Sequence, residues 1–186
     1  MNEQPWKPTR QQLSDALGKT VPDVIEMNLK VLFCGINPSL YTAAVGHHFA
    51  RPGNRFWPVL WKSGFTPDIL SPFDERELLR FGYGITNVVN RATAAASDLS
   101  KEEIQRGGKV LITKVLQYRP KILAVCGVGA YREIFKTAEV KIGRQDQMIE
   151  TTTLWVLPNP SGLNANYQID KLVELFRELY DFVNNL

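Results

Sequence analysis

The chain has 186 residues, enough to bury a sizeable core within one domain of ordinary size. An apolar fraction of 44% against 22% charged residues excludes a disordered chain, and no run of about eighteen apolar residues is present to span a bilayer. The 22 basic and 19 acidic residues leave a net charge of +3, which suits a polyanionic partner without demonstrating one.

The opening residues, Met1 to Trp6, include Glu3 and lack an apolar run, so they do not read as a secretory signal. The expectation is an intracellular protein, cytoplasmic or nucleoid-associated if bacterial. Residues 1–12 are polar and carry two prolines, so they read as frayed. A short helix is predicted within 13–27, interrupted near Pro22. Residues 1–27 together read as a partly flexible extension, and 28–186 as a single domain.

The first firm element is a buried strand over 29–34, leading into Gly35-Ile36-Asn37-Pro38-Ser39. Residues 40–56 read as a loop, followed by a helix from Phe56 that tolerates Pro58 only in its first turn. Asp74 is the predicted cap of a second helix over 75–81, and 85–89 a short strand. Ser100 and Glu103 have capping-box spacing and open a helix to about 117, in which Gly107-Gly108 marks close packing or a bend. A strand over 121–126, a helix over 128–136, strands near 147–149 and 153–157, and an amphipathic helix over 167–184 follow. Apolar strands alternating with helices predict an α/β fold, a three-layer α/β/α sandwich around a mainly parallel sheet.

Cys34 and Cys126 each close an apolar run and read as buried, reduced thiols, with a disulfide or reactive pair as the alternative. Two cysteines cannot supply a four-cysteine cluster, and two histidines make a conventional zinc site a poor fit. No metal site is expected.

Two predicted strands end in loops of one character, Asn37-Pro38-Ser39 and Asn159-Pro160-Ser161. Proline restricts the preceding asparagine to extended geometry and so limits where its amide can point. An amide can orient water but is no strong base. The plainer reading is an Asx turn at a strand exit. Phe49 is either a stacking surface for a planar ligand or a core plug. His47 and His48 could bond to a phosphate or a base, or to neither, and Arg51, Arg55 and Arg91 are candidate phosphate contacts or solvated surface charges. Cys126-Gly127-Val128-Gly129 resembles half of a dinucleotide fingerprint, but Arg132 stands where the last glycine is required.

Taken in order, Gly35-Ile36-Asn37-Pro38, Gly46-His47-His48-Phe49, Pro52-Gly53-Asn54-Arg55-Phe56-Trp57, Gly84-Ile85-Thr86-Asn87, Gly107-Gly108 and Asn159-Pro160-Ser161-Gly162-Leu163 resemble the mismatch-specific uracil/thymine-DNA glycosylases, within the wider uracil-DNA glycosylase superfamily. The resemblance runs from about Leu29 to Leu186. It implies a monofunctional enzyme, without metal or organic cofactor, that hydrolyses uracil from mispaired double-stranded DNA and leaves an abasic site. Thymine and damaged pyrimidines are further substrates in view. It implies that Asn37 positions the hydrolytic water, that Ile36 and Phe49 hold the extruded base, and that Asn87 reads its polar edge. Residues Asn159, Pro160, Ser161, Gly162 and Leu163 become a wedge that fills the vacated stack. The partner is double-stranded DNA with a mismatched or damaged base, met by a monomer, with no membrane involved. A non-catalytic DNA-binding module of the same fold is the alternative.

Three positions depart from the family pattern. Ser39 replaces a common glycine, Asn90 stands where several members have an acidic residue, and Asn164-Ala165-Asn166 lacks the serine and arginine that bacterial relatives carry after the wedge. The last departure weakens any inferred preference for guanine opposite.

Overall fold

Runs of buried residues pair into one sheet whose register sets the two faces of the molecule. The computed structural model describes residues 7–186. Strands β1 (Val31–Gly35), β2 (Tyr83–Asn87), β3 (Ile122–Cys126), β4 (Gly143–Ile149) and β5 (Thr152–Leu157) lie in the order β2-β1-β3-β5-β4. β1 is parallel to both β2 and β3, and β3 is parallel to β5, whereas β4 runs antiparallel to β5 at the edge. The mainly parallel sheet is therefore as expected.

Alternation along the strands divides the core. Val31, Phe33, Ile122 and Ala124 face one layer, and Leu32, Cys34, Leu123 and Val125 face the other. Six helices accompany the sheet among the described residues: α1 (Arg10–Ser14), α2 (Leu40–Val45), α3 (Phe56–Lys62), α4 (Lys101–Tyr118), α5 (Val128–Phe135) and α6 (Ile169–Asn184). α3 and α6 cover the first face through Phe56, Leu60, Phe176 and Leu179, while α4 and α5 cover the second through Leu111, Val115 and Tyr131. The three-layer sandwich follows from that division.

Several local elements differ from the sequence reading. Residues 40–45 are helical because the Ser39 hydroxyl accepts from Thr42 N at 3.2 Å and Gly46, at φ 80°, closes the turn. Ser39 is thus a helix cap as well as a neighbour of the pocket. The segment Pro72–Phe81, after α3, is a 3-10 helix capped by Ser71, and Asp74 lies inside it at a kink. β2 starts at Tyr83 rather than Ile85. Gly107 and Gly108 do not interrupt α4. A Cβ on Gly107 would lie 2.3 Å from the Val88 carbonyl just beyond β2, and one on Gly108 would lie 2.8 Å from the Ile134 side chain of α5, so the pair permits close packing on both.

At the amino-terminal side, Thr9 and Gln12 form a capping box that opens α1, where fraying was expected. The part of that expectation covering residues 1–6 lies outside the described residues. The predicted helix within 13–27 is confined to the last turn of α1. Val24 instead pairs antiparallel with Ile85 at the free edge of β2, through hydrogen bonds of 2.9 and 2.8 Å. Both cysteines are free and buried, on opposite faces of the sheet. Burial pushes the Cys126 thiol up to about 12 and raises Cys34 as well, so neither is a ready nucleophile.

Candidate active site

β1 lies between β2 and β3, so the chain leaves it toward β2 on one side and returns to β3 on the other. Such a reversal opens a crevice at the carboxyl ends of parallel strands. A pocket of about 370 Å³ occupies that place, walled by residues from the exits of β1, β2 and β5 and from the segments 48–54 and 93–96.

Asn37 enters it from the β1 exit. Its Nδ2 donates to the Thr93 hydroxyl at 2.7 Å and to the Arg91 carbonyl at 3.1 Å. A carbonyl can only accept, so the Arg91 contact fixes which end of the amide is nitrogen. Thr93 in turn donates to the Ala95 carbonyl at 2.7 Å, leaving a lone pair for Asn37. Both amide hydrogens are therefore engaged, and Oδ1 remains as an acceptor on a pocket-lining residue. The Arg91 backbone is itself anchored. Its guanidinium forks onto Glu103 of α4 at 2.6 and 2.9 Å, and those hydrogen bonds hold the Glu103 carboxyl down at about 2.

Gly35 creates the room in which two other pocket residues meet. A Cβ there would lie 2.5 Å from Asn87 Oδ1 and 3.4 Å from the Phe49 ring. Asn87, at the end of β2, is buried and lines the pocket with Ile36 and Phe49. Phe49 has a left-handed backbone, φ 53°, and its ring stacks on Phe56 with centroids 4.0 Å apart. It is thus partly a core plug and partly pocket wall.

The five candidate DNA contacts separate sharply. His48 is buried, with Nε2 3.0 Å from the Pro22 carbonyl and Nδ1 3.4 Å from Asn87 Nδ2. His47 is half-buried and paired with Glu75 through Nδ1 at 3.0 Å. Arg55 donates to the carbonyls of Tyr167, Ser161 and Asn164, and its backbone N–H bonds the Pro160 carbonyl at 3.0 Å. Arg91 is held by Glu103. Arg51 is exposed at the pocket rim, and its guanidinium has no hydrogen-bond or ion-pair partner among the described residues. Of the four arginine and histidine side chains other than Arg51, each already has a partner inside the protein, so a structural role accounts for them.

The second Asn-Pro loop is braced from within. Ser161 N donates to Asn159 Oδ1 at 3.0 Å, and Asn164 Nδ2 donates to the Asn159 carbonyl at 3.0 Å. A Cβ on Gly162 would lie 2.3 Å from the Gly53 carbonyl, so this loop and the 52–54 turn touch backbone to backbone. Leu163 stands out at the tip, 73% exposed. Single exposed apolar side chains are ordinary on a protein surface, so what sets Leu163 apart is its place on a braced loop that lines the pocket.

Thr93, Glu75 and Pro22 escaped the sequence reading. Thr93 sits among alanines with no motif around it, and Pro22 acts through a carbonyl that every residue possesses. Among the described residues, no group of three or more His, Cys, Asp or Glu side chains gathers to hold a metal ion, and no helix is long and apolar enough to cross a membrane.

Comparison with known proteins gives two findings. The family model of the uracil DNA glycosylase superfamily matches residues 22–183. The fold is similar to the solution NMR structure of a protein from Methanosarcina acetivorans, provisionally described as a uracil DNA glycosylase. The two chains are 18% identical; the match covers 88% of this chain and 99% of that one, with a TM-score of 0.60.

Proposed function

The chain belongs to the uracil DNA glycosylase superfamily, and from that membership and the pocket geometry we propose that it is a monofunctional DNA glycosylase acting on mispaired uracil. The substrate is a duplex in which uracil, and by extension thymine or a damaged pyrimidine, is mispaired; the product is an intact abasic site. The enzyme works as a monomer on DNA. The observation that carries the reading is the free Oδ1 of Asn37, whose two amide hydrogens are tied to Thr93 and Arg91.

The chemistry follows from that orientation. Oδ1 accepts a hydrogen bond from a water molecule and so turns the water oxygen's lone pair toward C1′ of an extruded nucleotide. An amide does not take the proton as a strong base, so the glycosidic bond must already be opening when water attacks. Positive charge grows on the sugar and negative charge on the base, whose edge Asn87 meets with hydrogen-bonding groups. Phe49 and Ile36 flank the ring. Leu163 enters the stack in its place, offsetting part of the few kcal/mol that extrusion costs. Arg51 is the phosphate contact at the rim. The mismatch preference rests on the cheaper opening of mispaired bases.

Single-turnover excision of uracil from a G·U duplex, followed by Asn37→Ala, tests this reading. Wild-type protein releases uracil without strand cleavage, and the variant loses excision while still binding the duplex. Folded wild-type protein that binds the duplex and releases no base would instead be a binding module.

A further inference from the structure

His48 is buried beside the pocket and has no route to a phosphate. Its backbone N–H donates to Glu75 Oε2 at 2.7 Å, and its carbonyl accepts from Trp57 Nε1 at 3.2 Å, so the residue is fixed at both ends. The ring is fixed as well. Nε2 lies 3.0 Å from the Pro22 carbonyl, and a carbonyl accepts only, so Nε2 carries a hydrogen. In a neutral imidazole Nδ1 is then a lone-pair acceptor. The atom 3.4 Å from it is Asn87 Nδ2.

We propose that His48 is a positioning residue that sets the orientation of the Asn87 amide and thereby the base edge that the pocket accepts. This rests on the glycosylase reading above. With Nδ2 turned to His48, Asn87 keeps Oδ1 and one remaining hydrogen as its unpaired groups among the described residues, an acceptor beside a donor. That pair complements an imide, N–H next to C=O, as in uracil and thymine. It opposes the reversed edge of cytosine. Gly35 lacks the Cβ that would crowd the Asn87 amide, which gives the amide room to take this orientation. The amino-terminal segment takes part, since Pro22 supplies the carbonyl that selects the tautomer.

The charged groups around the ring are Glu75 from the 3-10 segment, Asp23 beside Pro22, Lys114 of α4 paired with Asp23, and the neighbouring His47. Burial lowers the His48 pKa, and the Glu75 carboxylate partly opposes that shift. Acidification that charges the ring puts N–H on Nδ1 against the Asn87 NH2, and the amide must turn or withdraw.

The test uses duplexes carrying 5-fluorouracil or 5-fluorocytosine opposite guanine. The shared fluorine eases departure of both bases, while their Watson–Crick edges are opposed. Wild-type protein excises fluorouracil preferentially, and His48→Phe lowers the rate ratio by about tenfold, the cost of one misdirected hydrogen bond. Asn87→Ala lowers it equally, and the double variant no further. The wild-type ratio falls with acidification, against a flat baseline in His48→Phe. A long-range 1H–15N spectrum of wild-type protein shows a neutral His48 with its hydrogen on Nε2, and this arm decides the matter if His48→Phe melts at the assay temperature. An Nδ1–H tautomer, or an unchanged ratio in folded His48→Phe, overturns the role of His48 and leaves the glycosylase reading intact. Excision of neither base by folded wild-type protein overturns that reading and the selectivity with it.

Discussion

Asn37 and Thr93 lie 56 positions apart in the chain and meet at 2.7 Å, amide hydrogen to hydroxyl oxygen. Thr93→Val keeps the shape and removes the acceptor, so the Asn37 amide loses one of its two restraints. The expected result is a single-turnover excision rate reduced about tenfold, corresponding to ~1–2 kcal/mol of misorientation, with binding to abasic duplex unchanged. An unaltered rate would show that the Arg91 carbonyl alone suffices to hold the amide.

Arg55 and Arg51 separate structure from DNA contact. Arg55→Lys retains the charge but loses the fork that joins three carbonyls of the 161–167 segment. It lowers duplex excision and the melting temperature together. Arg51→Gln leaves the melting temperature alone, weakens duplex binding, and reduces the salt dependence of log K by about one contact's worth. Binding titrations at several salt concentrations, with thermal melts alongside, distinguish the two; equal salt slopes in wild type and Arg51→Gln would remove Arg51 from the interface.

Gly162→Ala places a methyl carbon 2.3 Å from the Gly53 carbonyl, a contact that backbone must relieve by moving. The wedge loop shifts, and duplex excision falls. Leu163→Ala removes an exposed side chain and leaves stability untouched, yet excision falls here too because the vacated stack is no longer filled. Fluorescence of 2-aminopurine beside the lesion reads extrusion directly. An undiminished extrusion signal in Leu163→Ala would remove the wedge role.

Glu103 gives the pH dependence a sign. Its folded value, held to about 2 by the Arg91 hydrogen bonds and the Ser100 backbone, lies below the ordinary carboxylate value of 4.5. A depressed carboxyl contributes stability that is present above its unfolded value and disappears as pH falls through the folded one. The melting-temperature gap between wild type and Glu103→Gln is therefore full above about pH 4.5 and closes toward pH 2. A gap that stays constant across that range would refute the coupling.

Strands and layers were legible because apolar runs at β1, β3 and β5 are continuous and bounded by Gly or Pro, and the amphipathic period of α6 is long. The proline after Asn37 drew attention to it but left an Asx turn as the plainer reading, and its proposed role came from the ordered family motifs. The α2 helix was missed because six residues carry little periodic signal, and its caps, Ser39 and Gly46, flank a segment that also looks like a loop. Charge alone could not separate Arg51 from Arg55 and Arg91. What distinguishes them is whether carbonyls or a carboxylate approach from elsewhere in the chain, over separations of up to 112 residues. His48 illustrates the same limit, since its partner is a proline carbonyl 26 residues away.

The Val24 pairing on β2 has a consequence for the molecule among its own copies. Open strand edges are templates on which a second chain can add a strand and begin aggregation. Here one edge is occupied at its middle residue, where Val24 takes both backbone groups of Ile85. The other, β4, breaks its register between Arg144 and Met148 and presents Arg144, Asp146 and Gln147 outward. Crowded side by side along one polyanion, copies of this chain meet edges that are occupied at the middle on one side and bulged and charged on the other.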